Sequence, residues 1–561
     1  MEVRIANSGY RALLSATAVL ILFLAWPGSE ARGSGFAALT TGATHGCALR
    51  SSGEALCWGA NSEGQLGDGG TEKELIPTPV EGLADATSIS AGNSHTCAIR
   101  GSGQVVCWGS NGNGQLGDGL SDHLTPEPVP GLNDATSISA GDSHTCAIRS
   151  SGQAVCWGYN GWGQIGDGTT DDSLTPTAVP GLTDATEIAA GWSHSCAIRT
   201  GGQVVCWGGN ASGQIGDGTT DDQLTPTPVT GLTDAVSIAV GQGQSCAVRT
   251  SGQAVCWGDN SGGQLGDGTT DDRLTPTAVI GLTDAGEITA GGSHTCAIRT
   301  TGQAVCWGTN RDGQLGDGTS SGDEDPDGIP TPVSSLSNAL NIAAGDSYTC
   351  AIRGIDQAVC WGKNNGRLGD GTLQDRLLPT AVSDLPPPVI GVTVNLVKIK
   401  GKVTTKCPGE RRFRKLIKPR QVKVGCRLDT RKGTVSLTSA KAKKSGTQAG
   451  RFWGGLFRVG QTRRKTLTTM NLTGSTKCPV NAPHRRPIRR GWGKDKGGKF
   501  RIGGHGGSAS SRGTHWGVVD RCDGSTKVLV KEGSVSVRDF VRKKTVTVRA
   551  GHSYVTGKRK R

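Results

Sequence analysis

Residues 91–129 read AGNSHTCAIRGSGQVVCWGSNGNGQLGDGLSDHLTPEPV, and closely similar text recurs along most of the first 384 residues of this 561-residue chain. The tripeptide Cys-Trp-Gly marks the period, and its tryptophans are Trp58, Trp108, Trp157, Trp207, Trp257, Trp307 and Trp361. They are spaced by 50, 49, 50, 50, 50 and 54 residues. Seven copies of nearly constant length indicate one structural unit used seven times.

Each copy contains four short apolar runs separated by Gly, Pro and Asp, which is typical of strands rather than helices. In the second copy these runs are Pro77–Val80, Thr87–Ala91, His95–Arg100 and Gln104–Gly109. The three residues between the last two runs predict a hairpin in which Cys97 faces Cys107, Ala98 faces Val106 and Ile99 faces Val105.

Both faces of this hairpin are apolar, so each should be covered by other parts of the protein. Four-stranded blades packed around an axis provide that cover, because each blade lies between two neighbours. A solenoid would also bury the faces of the repeats, but it needs atypical capping repeats, and the copies show none. The sequence therefore predicts an all-β protein with a seven-bladed β-propeller over residues 32–384.

The N-terminus carries an apolar run from Ala12 to Trp26, preceded by Arg4 and Arg11. This length is typical of a signal-peptide core, and Ser29–Ala31 offers a small-x-small cleavage site, so residues 1–31 are predicted to be a signal peptide. An uncleaved membrane anchor is the alternative. In both cases the bulk of the chain is expected to be exported, either secreted or held at the cell surface.

Fourteen of the eighteen cysteines form pairs separated by nine residues. The pairs are Cys47 with Cys57, Cys97 with Cys107, Cys146 with Cys156, Cys196 with Cys206, Cys246 with Cys256, Cys296 with Cys306, and Cys350 with Cys360. If the closing pair of the hairpin, Arg100 and Gln104, is hydrogen-bonded, alternation places Cys97 and Cys107 at a non-hydrogen-bonded site, where side chains approach most closely. Export favours seven disulfides over reduced, buried thiols. Metal binding is not expected, because each blade offers two thiolates and no histidine placed to complete four ligands.

These motifs resemble the regulator-of-chromosome-condensation (RCC) repeat. Its pattern, Gly-Gln-Leu-Gly-x-Gly followed by Pro-x-x-Val and Ala-Gly-x-x-His, is found here as Gly114–Gly119, Pro126–Val129 and Ala140–His144. The resemblance covers about residues 36–384 and implies the seven-bladed fold. It implies no single activity, because the family includes nuclear nucleotide-exchange factors and secreted inhibitors.

The order of the motifs suggests how the ring closes. The first copy lacks the Pro-x-x-Val strand that precedes every other copy, and a spare strand, Pro379–Val382, follows the last copy. We therefore expect Pro379–Val382 to complete the first blade and to join the two ends of the ring.

The chain changes character after a proline-rich linker at residues 385–391. Residues 1–390 contain 16 Lys and Arg against 40 Asp and Glu, whereas residues 391–561 contain 44 against 7, a net charge of +37. Short strand patterns continue, which predicts a smaller, basic, β-rich domain over residues 392–561. Its four cysteines, Cys407, Cys426, Cys478 and Cys522, allow two bridges in three connectivities.

Segments of this second half resemble the FecR-type β domain of exported bacterial proteins. They are Val424–Ala440, Phe452–Phe457 and Gly513–Tyr554. The resemblance implies a β architecture. Only the β architecture carries over from the resemblance, and whether the domain signals stays open, because no cytoplasmic sensor segment or second transmembrane helix is recognised.

No set of residues in the chain predicts catalysis, a cofactor or a metal, and we expect that the protein is not an enzyme. The histidine of Ala-Gly-x-x-His is replaced by Gln244 and Tyr348 in two copies, which favours a turn-stabilising role. The aspartate-rich loops lack the regular ligand ladder of a calcium site and are interpreted as solvated turns. A recurrent arginine at one hairpin end is expected to pair with the recurrent aspartates Asp85, Asp134, Asp184, Asp234 and Asp284.

Strand direction alternates within a blade, so the Ala-Gly-x-x-His turns and the loops after Cys-Trp-Gly lie at the same end of the propeller, opposite the arginines. This end is the predicted binding face. The repeats differ most there, and function commonly lies in varied loops on a constant scaffold. The predicted binding residues are Tyr159, Trp162, Trp192, Asp142 and Gln242. The alternative is that Trp162 and Trp192 fold back over the blade ends as lids.

The favoured hypothesis is an exported binding protein of the cell envelope. Its propeller would recognise an unknown protein or glycan, and its basic domain would bind an anionic surface polymer rather than a specific nucleic acid. The alternative is a secreted enzyme inhibitor, since the repeat resembles that of propellers that inhibit β-lactamases. Guanine-nucleotide exchange fits less well, because export separates the chain from its small GTPase. We expect a monomer.

Overall fold

The computed structural model describes residues 35–119, 121–321, 327–354 and 357–383, and residues 393–556 except 409, 411, 417–419, 441–446, 454–455, 462–467, 473–486, 496–499, 504–506, 512–514 and 522–524. The described residues form strands and turns and no helix, which confirms the predicted all-β class. The predicted signal peptide, the proline-rich linker, Cys478 and Cys522 lie outside the described residues.

Seven four-stranded sheets follow one another along the chain, and each is a blade of the predicted propeller. The strands of blades one to four are β1 (Phe36–Thr41), β2 (His45–Arg50), β3 (Ala55–Gly59), β4 (Glu74–Pro79), β5 (Ala86–Ala91), β6 (His95–Arg100), β7 (Val105–Gly109), β8 (His123–Pro128), β9 (Ala135–Ala140), β10 (His144–Arg149), β11 (Ala154–Gly158), β12 (Ser173–Ala178), β13 (Ala185–Ala190), β14 (His194–Arg199), β15 (Val204–Gly208) and β16 (Gln223–Pro228). Those of blades five to seven are β17 (Ala235–Val240), β18 (Gln244–Arg249), β19 (Ala254–Gly258), β20 (Arg273–Ala278), β21 (Ala285–Ala290), β22 (His294–Arg299), β23 (Ala304–Gly308), β24 (Asp327–Pro332), β25 (Ala339–Ala344), β26 (Tyr348–Arg353), β27 (Gln357–Gly362) and β28 (Arg376–Ala381).

The central hairpin of each blade has the register that the sequence predicts. In the second blade Cys97 faces Cys107, Ala98 faces Val106 and Ile99 faces Val105. The amide of Arg100 donates to the carbonyl of Gln104 at 2.9 Å, so alternation makes the cysteine pair non-hydrogen-bonded.

All seven predicted disulfides of the propeller are present, and each has its Cα atoms 4.1 Å apart. They join Cys47 to Cys57, Cys97 to Cys107, Cys146 to Cys156, Cys196 to Cys206, Cys246 to Cys256, Cys296 to Cys306, and Cys350 to Cys360. Every bridge therefore lies within one blade, across the central hairpin, as the facing positions predict.

Apolar side chains join each blade to the next. In the fourth blade Cys196, Ile198 and Cys206 are buried in one cluster with Val255 and Trp257 of the fifth blade. The disulfide therefore lies in the interface between blades, where burial of apolar surface stabilises the ring. Equivalent clusters lie at the other junctions between blades.

The ring closes by packing, and the expected closure by Pro379–Val382 is wrong. Strand β28 pairs with β27 in the seventh blade, whereas the first blade is completed by its own β4, which pairs with β3. Each Pro-x-x-Val run therefore ends the blade that precedes it, because the long loop after Cys-Trp-Gly returns the chain to the same sheet. The first and last blades share an apolar cluster that contains Phe36, Trp58 and Tyr348.

The described residues of the second half form a sheet of fifteen strands. They are β29 (Thr393–Lys406), β30 (Arg414–Lys415), β31 (Arg420–Lys423), β32 (Arg427–Ala440), β33 (Thr447–Trp453), β34 (Leu456–Gln461), β35 (Thr468–Leu472), β36 (Pro487–Asp495), β37 (Phe500–Gly503), β38 (Gly507–Ser511), β39 (His515–Arg521), β40 (Thr526–Glu532), β41 (Ser534–Asp539), β42 (Lys544–Arg549) and β43 (Ser553–Val555). Twelve of them follow the order β42-β41-β38-β37-β35-β34-β32-β33-β36-β39-β40-β43, and β29 pairs with β30, β31 and β32.

This sheet curls until its two ends meet. Strands β42 and β43, at opposite ends of the order, contact each other. Beside them, the Tyr554 hydroxyl donates to Asp539 Oδ2 at 3.1 Å, and Arg542 Nη1 donates to the carbonyl of Val555 at 3.1 Å. One apolar cluster fills the inside of the curl. Cys407 and Cys426 form a disulfide, and the other two cysteines of this half, Cys478 and Cys522, lie outside the described residues.

Candidate functional site

The recurrent histidines hold neighbouring blades together. His45 Nε2 lies 2.8 Å from the Thr96 hydroxyl of the second blade, and that hydroxyl donates to the Gln65 carbonyl at 2.8 Å. The histidine therefore donates, and its Nδ1, which has no hydrogen-bond partner, carries no proton. Burial lowers the pKa of His45 to about 3, so the ring stays neutral. The side chain therefore bonds to the next blade and not to its own turn, so the predicted turn-stabilising role is replaced by a contact between blades.

The same junctions contain the tryptophan of Cys-Trp-Gly. Trp108 Nε1 donates to the Gln65 carbonyl of the preceding blade at 2.9 Å, and the other blades repeat this bond. Trp58 closes the ring by donating to the carbonyl of Arg367 in the last blade at 2.8 Å. These contacts show that the repeated histidines and tryptophans have a structural role. The varied loops are therefore the better candidates for a functional site.

Five of the seven arginines at the short hairpin ends pair with aspartate, as predicted, and Arg50 pairs with Glu54 instead. Arg100, Arg149, Arg199, Arg249 and Arg299 each form a salt bridge with the expected aspartate of their own blade. An anion at this end of the propeller would compete with these carboxylates for the same guanidinium groups.

An asparagine two residues after each Cys-Trp-Gly organises the long loop, and sequence reasoning missed this role. In the third blade the buried Asn160 accepts the amide of Ile165 at 2.9 Å through Oδ1. Its Nδ2 donates to the carbonyls of Thr169 and Asp171, and its own amide donates to Asp172 Oδ1 at 2.8 Å. The recurrence of this asparagine in all seven copies was the available signal. The aspartates of the loop therefore support its backbone, in agreement with their interpretation as turn residues.

The two sets of varied loops meet at one end of the propeller. The amide of Tyr159, in the loop after Cys-Trp-Gly, donates to the carbonyl of Ser143, in the Ala-Gly-x-x-His turn, at 2.9 Å. Between the third and fourth blades these loops enclose a cavity of about 330 Å³. Four of the five predicted binding residues line it, namely Asp142, Tyr159, Trp162 and Trp192.

The aromatic side chains at this cavity are accessible. Trp162 is 50% exposed and Trp192 is 54% exposed, whereas the seven tryptophans of Cys-Trp-Gly are 0% exposed. Lids folded over the blade ends would bury their rings against the scaffold, so the exposures argue against that alternative. Binding by these residues stays a prediction.

The fifth predicted residue, Gln242, lies apart from this cavity. It lines the mouth of the central channel, a space of about 120 Å³ formed by the Ala-Gly turns of all seven blades. Asp142 and Trp192 border both spaces. The structure thus divides the predicted set into an aromatic cavity and a residue of the axial mouth.

In the part of the chain that the structure describes, no group of three or more His, Cys, Asp or Glu side chains is placed to hold a metal ion. The described residues also contain no helix of the length and apolarity that spanning a membrane requires.

The fold and loops described above define a seven-bladed propeller with one varied face. The regulator of chromosome condensation (RCC1) repeat matches residues 52–99, 102–148, 151–198, 201–248, 251–298 and 301–352. A second form of the same repeat matches residues 36–65, 86–115, 135–164, 185–214 and 287–314. These matches cover more than half of the chain, which therefore belongs to the RCC1-repeat family.

Solved structures agree with this assignment. Human WBSCR16 is similar over 61% of this chain and 96% of its own, with 22% identity and a TM-score of 0.53. Prp20p from Saccharomyces cerevisiae is similar over 59% of this chain and 85% of its own, with 23% identity and a TM-score of 0.53. At these identities the likeness establishes the fold alone. No curated protein sequence matches the chain.

Proposed function

We propose that this chain is an exported binding protein, in which the varied face of the propeller captures a partner and the basic β domain holds it to an anionic polymer of the cell envelope. The observation that carries the proposal is the cavity lined by Tyr159, Trp162 and Trp192 on an otherwise repeated scaffold. Exposed aromatic residues are typical anchors of binding interfaces. The RCC1-repeat propeller itself is a scaffold suited to interaction rather than to one chemistry.

Two features support export. The N-terminal sequence has the pattern of a signal peptide. The described cysteines all form disulfides, eight in number, and such bonds persist in oxidising compartments. The proposed resemblance of the second half to the FecR-type domain fits the same location and adds no activity of its own.

The anchoring role rests on the charge of the second half. Its edge strand β42 and the turn before it carry Arg542, Lys543, Lys544 and Arg549 with exposed side chains. Lysines on a sheet edge also discourage pairing with other chains, which is their structural alternative. Attraction to a polyanion is screened by salt, so the two roles can be separated.

Capture of a partner is tested by photo-crosslinking at the cavity. A photoreactive amino acid replacing Ala211, which lines the cavity, should crosslink a discrete envelope component when the full chain is exposed to cell-envelope extract. The same amino acid placed at Ser151, on the hairpin at the opposite end of the third blade, is the control. Equal crosslinking at both positions would refute a dedicated binding face.

Anchoring is tested with the full chain on an immobilised polyanion. We expect elution at a lower salt concentration for the K543E/K544E variant than for the wild type, because Lys543 in the turn and Lys544 at the start of β42 both have exposed side chains. Retention that does not depend on salt, or an unchanged elution position in the variant, would contradict the role of this edge.

A further inference from the structure

The cavity between the third and fourth blades combines aromatic rings with uncompensated negative charge. The loops at residues 158–173 and 208–223 contain Asp167, Asp171, Asp172, Asp217, Asp221 and Asp222 and no Lys or Arg. Among the described residues none of these six, nor Asp142, forms a salt bridge. The corresponding loops elsewhere are different: Arg273 pairs with Asp267, and Lys363 pairs with Asp312.

We infer that this cavity binds a cationic side chain, an arginine or a lysine, presented by a basic segment of a protein partner. The inference rests on the proposed partner-binding function and specifies what the varied face recognises. Electrostatic complementarity favours a basic partner for this half of the chain, because residues 1–390 hold 40 Asp and Glu against 16 Lys and Arg.

Two carboxylates stand at the cavity itself. Asp142 accepts hydrogen bonds from Asn93 Nδ2 at 2.7 Å and from the Ser143 hydroxyl at 2.8 Å, which fixes its position. Asp222 accepts the amide of Asn210 at 2.8 Å through Oδ1. Each carboxylate has about four acceptor sites, so both retain capacity for a ligand's N–H groups.

The aromatic residues complete the site for a cation. Indole and phenol rings attract ammonium and guanidinium groups through their negative faces, and tryptophan does so best. A guanidinium is planar, so it can lie against an indole while its N–H groups reach a carboxylate. A cavity of about 330 Å³ admits one long side chain but not a folded domain, so the partner must present an exposed basic residue.

The repeat itself supplies variants that remove the site and keep the loops. The amide of Trp162 donates to Gln164 Oε1 at 2.9 Å, and Ser212 of the fourth blade makes the same bond to Gln214 at 2.9 Å. The amide of Trp192 donates to the Gly241 carbonyl at 3.3 Å, and Gln242 of the fifth blade makes the equivalent bond at 3.3 Å. W162S and W192Q therefore introduce side chains that occur at the equivalent positions of the fourth and fifth blades, where the backbone makes the same hydrogen bonds.

A matched control exists for the carboxylates. Asp272 of the fifth blade accepts the amide of Asn260 at 2.9 Å, as Asp222 accepts that of Asn210, but it does not line the cavity. D222N and D272N thus perturb the same loop bond, and they differ in whether the cavity loses a charge.

The experiment is a titration of the full chain with a nine-residue Gly/Ser peptide that carries three arginines. The matching peptide with citrulline, which keeps the shape and lacks the charge, is the ligand control. Calorimetry should show at least tenfold tighter binding of the arginine peptide, weakening with added salt. W162S/W192Q and D142N/D222N should each weaken it at least tenfold, and D272N should leave it unchanged.

Other results would overturn the inference. They are equal binding of the citrulline peptide, full binding by W162S/W192Q, or a loss in D272N equal to that in D142N/D222N. Tighter binding of a neutral chitin oligosaccharide than of the arginine peptide would assign the cavity to glycans instead. In any of these cases, discrete crosslinking through the residue placed at position 211 would still support partner binding by this face. Failure of the cation-binding inference can therefore be distinguished from failure of the proposed function.

Discussion

The cross-link between Cys196 and Cys206 should contribute a measurable and predictable part of the stability of the propeller. The two residues are 10 positions apart, and the chain-entropy relation for a loop of that size gives about 2.7 kcal/mol at 25 °C. Both sulfurs are fully buried at the junction with the fifth blade. We expect the C196A/C206A variant to lose about 3 kcal/mol of unfolding free energy.

The assay is urea denaturation followed by tryptophan fluorescence, because the seven buried tryptophans of the blades report the loss of the ring. The single variant C196A separates the two physical causes. If the cross-link dominates, C196A and C196A/C206A lose nearly the same stability, since both lack the bond. If packing of the sulfurs dominates, the double variant loses about twice as much as the single one.

A loss below about 1 kcal/mol in the double variant would refute the reasoning, since removing a native disulfide from a small domain typically costs more. A free-thiol count on the untreated protein would then show whether the bond forms at all. C246A/C256A, which removes the bridge from Cys246 to Cys256 in the next blade, should give the same loss as C196A/C206A, because the separation is the same.

Three further outcomes follow from the junctions and the axis. Burial lowers the pKa of His294 from the ordinary 6.5 to about 4, so the protein takes up a proton when it unfolds between these pH values, and its stability should fall as the pH drops from 6.5 towards 4. H294Q, which introduces the glutamine found at this position in the fifth blade, should show a smaller fall in the urea midpoint between pH 7.5 and 4.5 than the wild type. Y348F removes the hydroxyl that donates to the buried carbonyls of His45 at 2.6 Å and Gly42 at 3.1 Å, and should cost about 1–3 kcal/mol in urea denaturation; a loss no larger than that of Y159F would contradict the importance of this seam. G141A should lower the melting temperature, because the added Cβ would lie 2.4 Å from the Gly191 carbonyl oxygen, whereas G286A, whose Cβ would meet no atom closer than 3.7 Å, should not.

The local part of the fold was predictable because its signals are local. The Gly-rich hairpin turn and the facing cysteines set the register of Cys97 and Cys107, and alternation then determined which side chains share a face. The grouping of strands into blades was not predictable in the same way. A period of 50 residues has no intrinsic starting point, so the Pro-x-x-Val run was assigned to the following blade and the closure by Pro379–Val382 was wrong.

The candidate site was partly accessible from the sequence for the same reason. Strand direction placed Tyr159, Trp162 and Trp192 at one end of the ring, and the structure brings them around one cavity. Gln242 belongs to the Ala-Gly turn of the fifth blade, so it lines the axial mouth and not the cavity between the third and fourth blades. In the second half, pairing such as that of β35 with β37, which is parallel and skips β36, depends on contacts distant in sequence.

The self-contained blades have a consequence for how the chain reaches its native state. Every propeller sheet and every propeller disulfide joins residues of one continuous segment, and among the described residues the first and last blades exchange no strand. Contacts of short sequence separation form fast, and a chain that is synthesised from its N-terminus can complete its blades in order. Each new cysteine meets its partner before the next pair appears, which limits mispairing. The junction of Trp58 with Arg367 then forms last, so closure of the ring is the slow, long-range step.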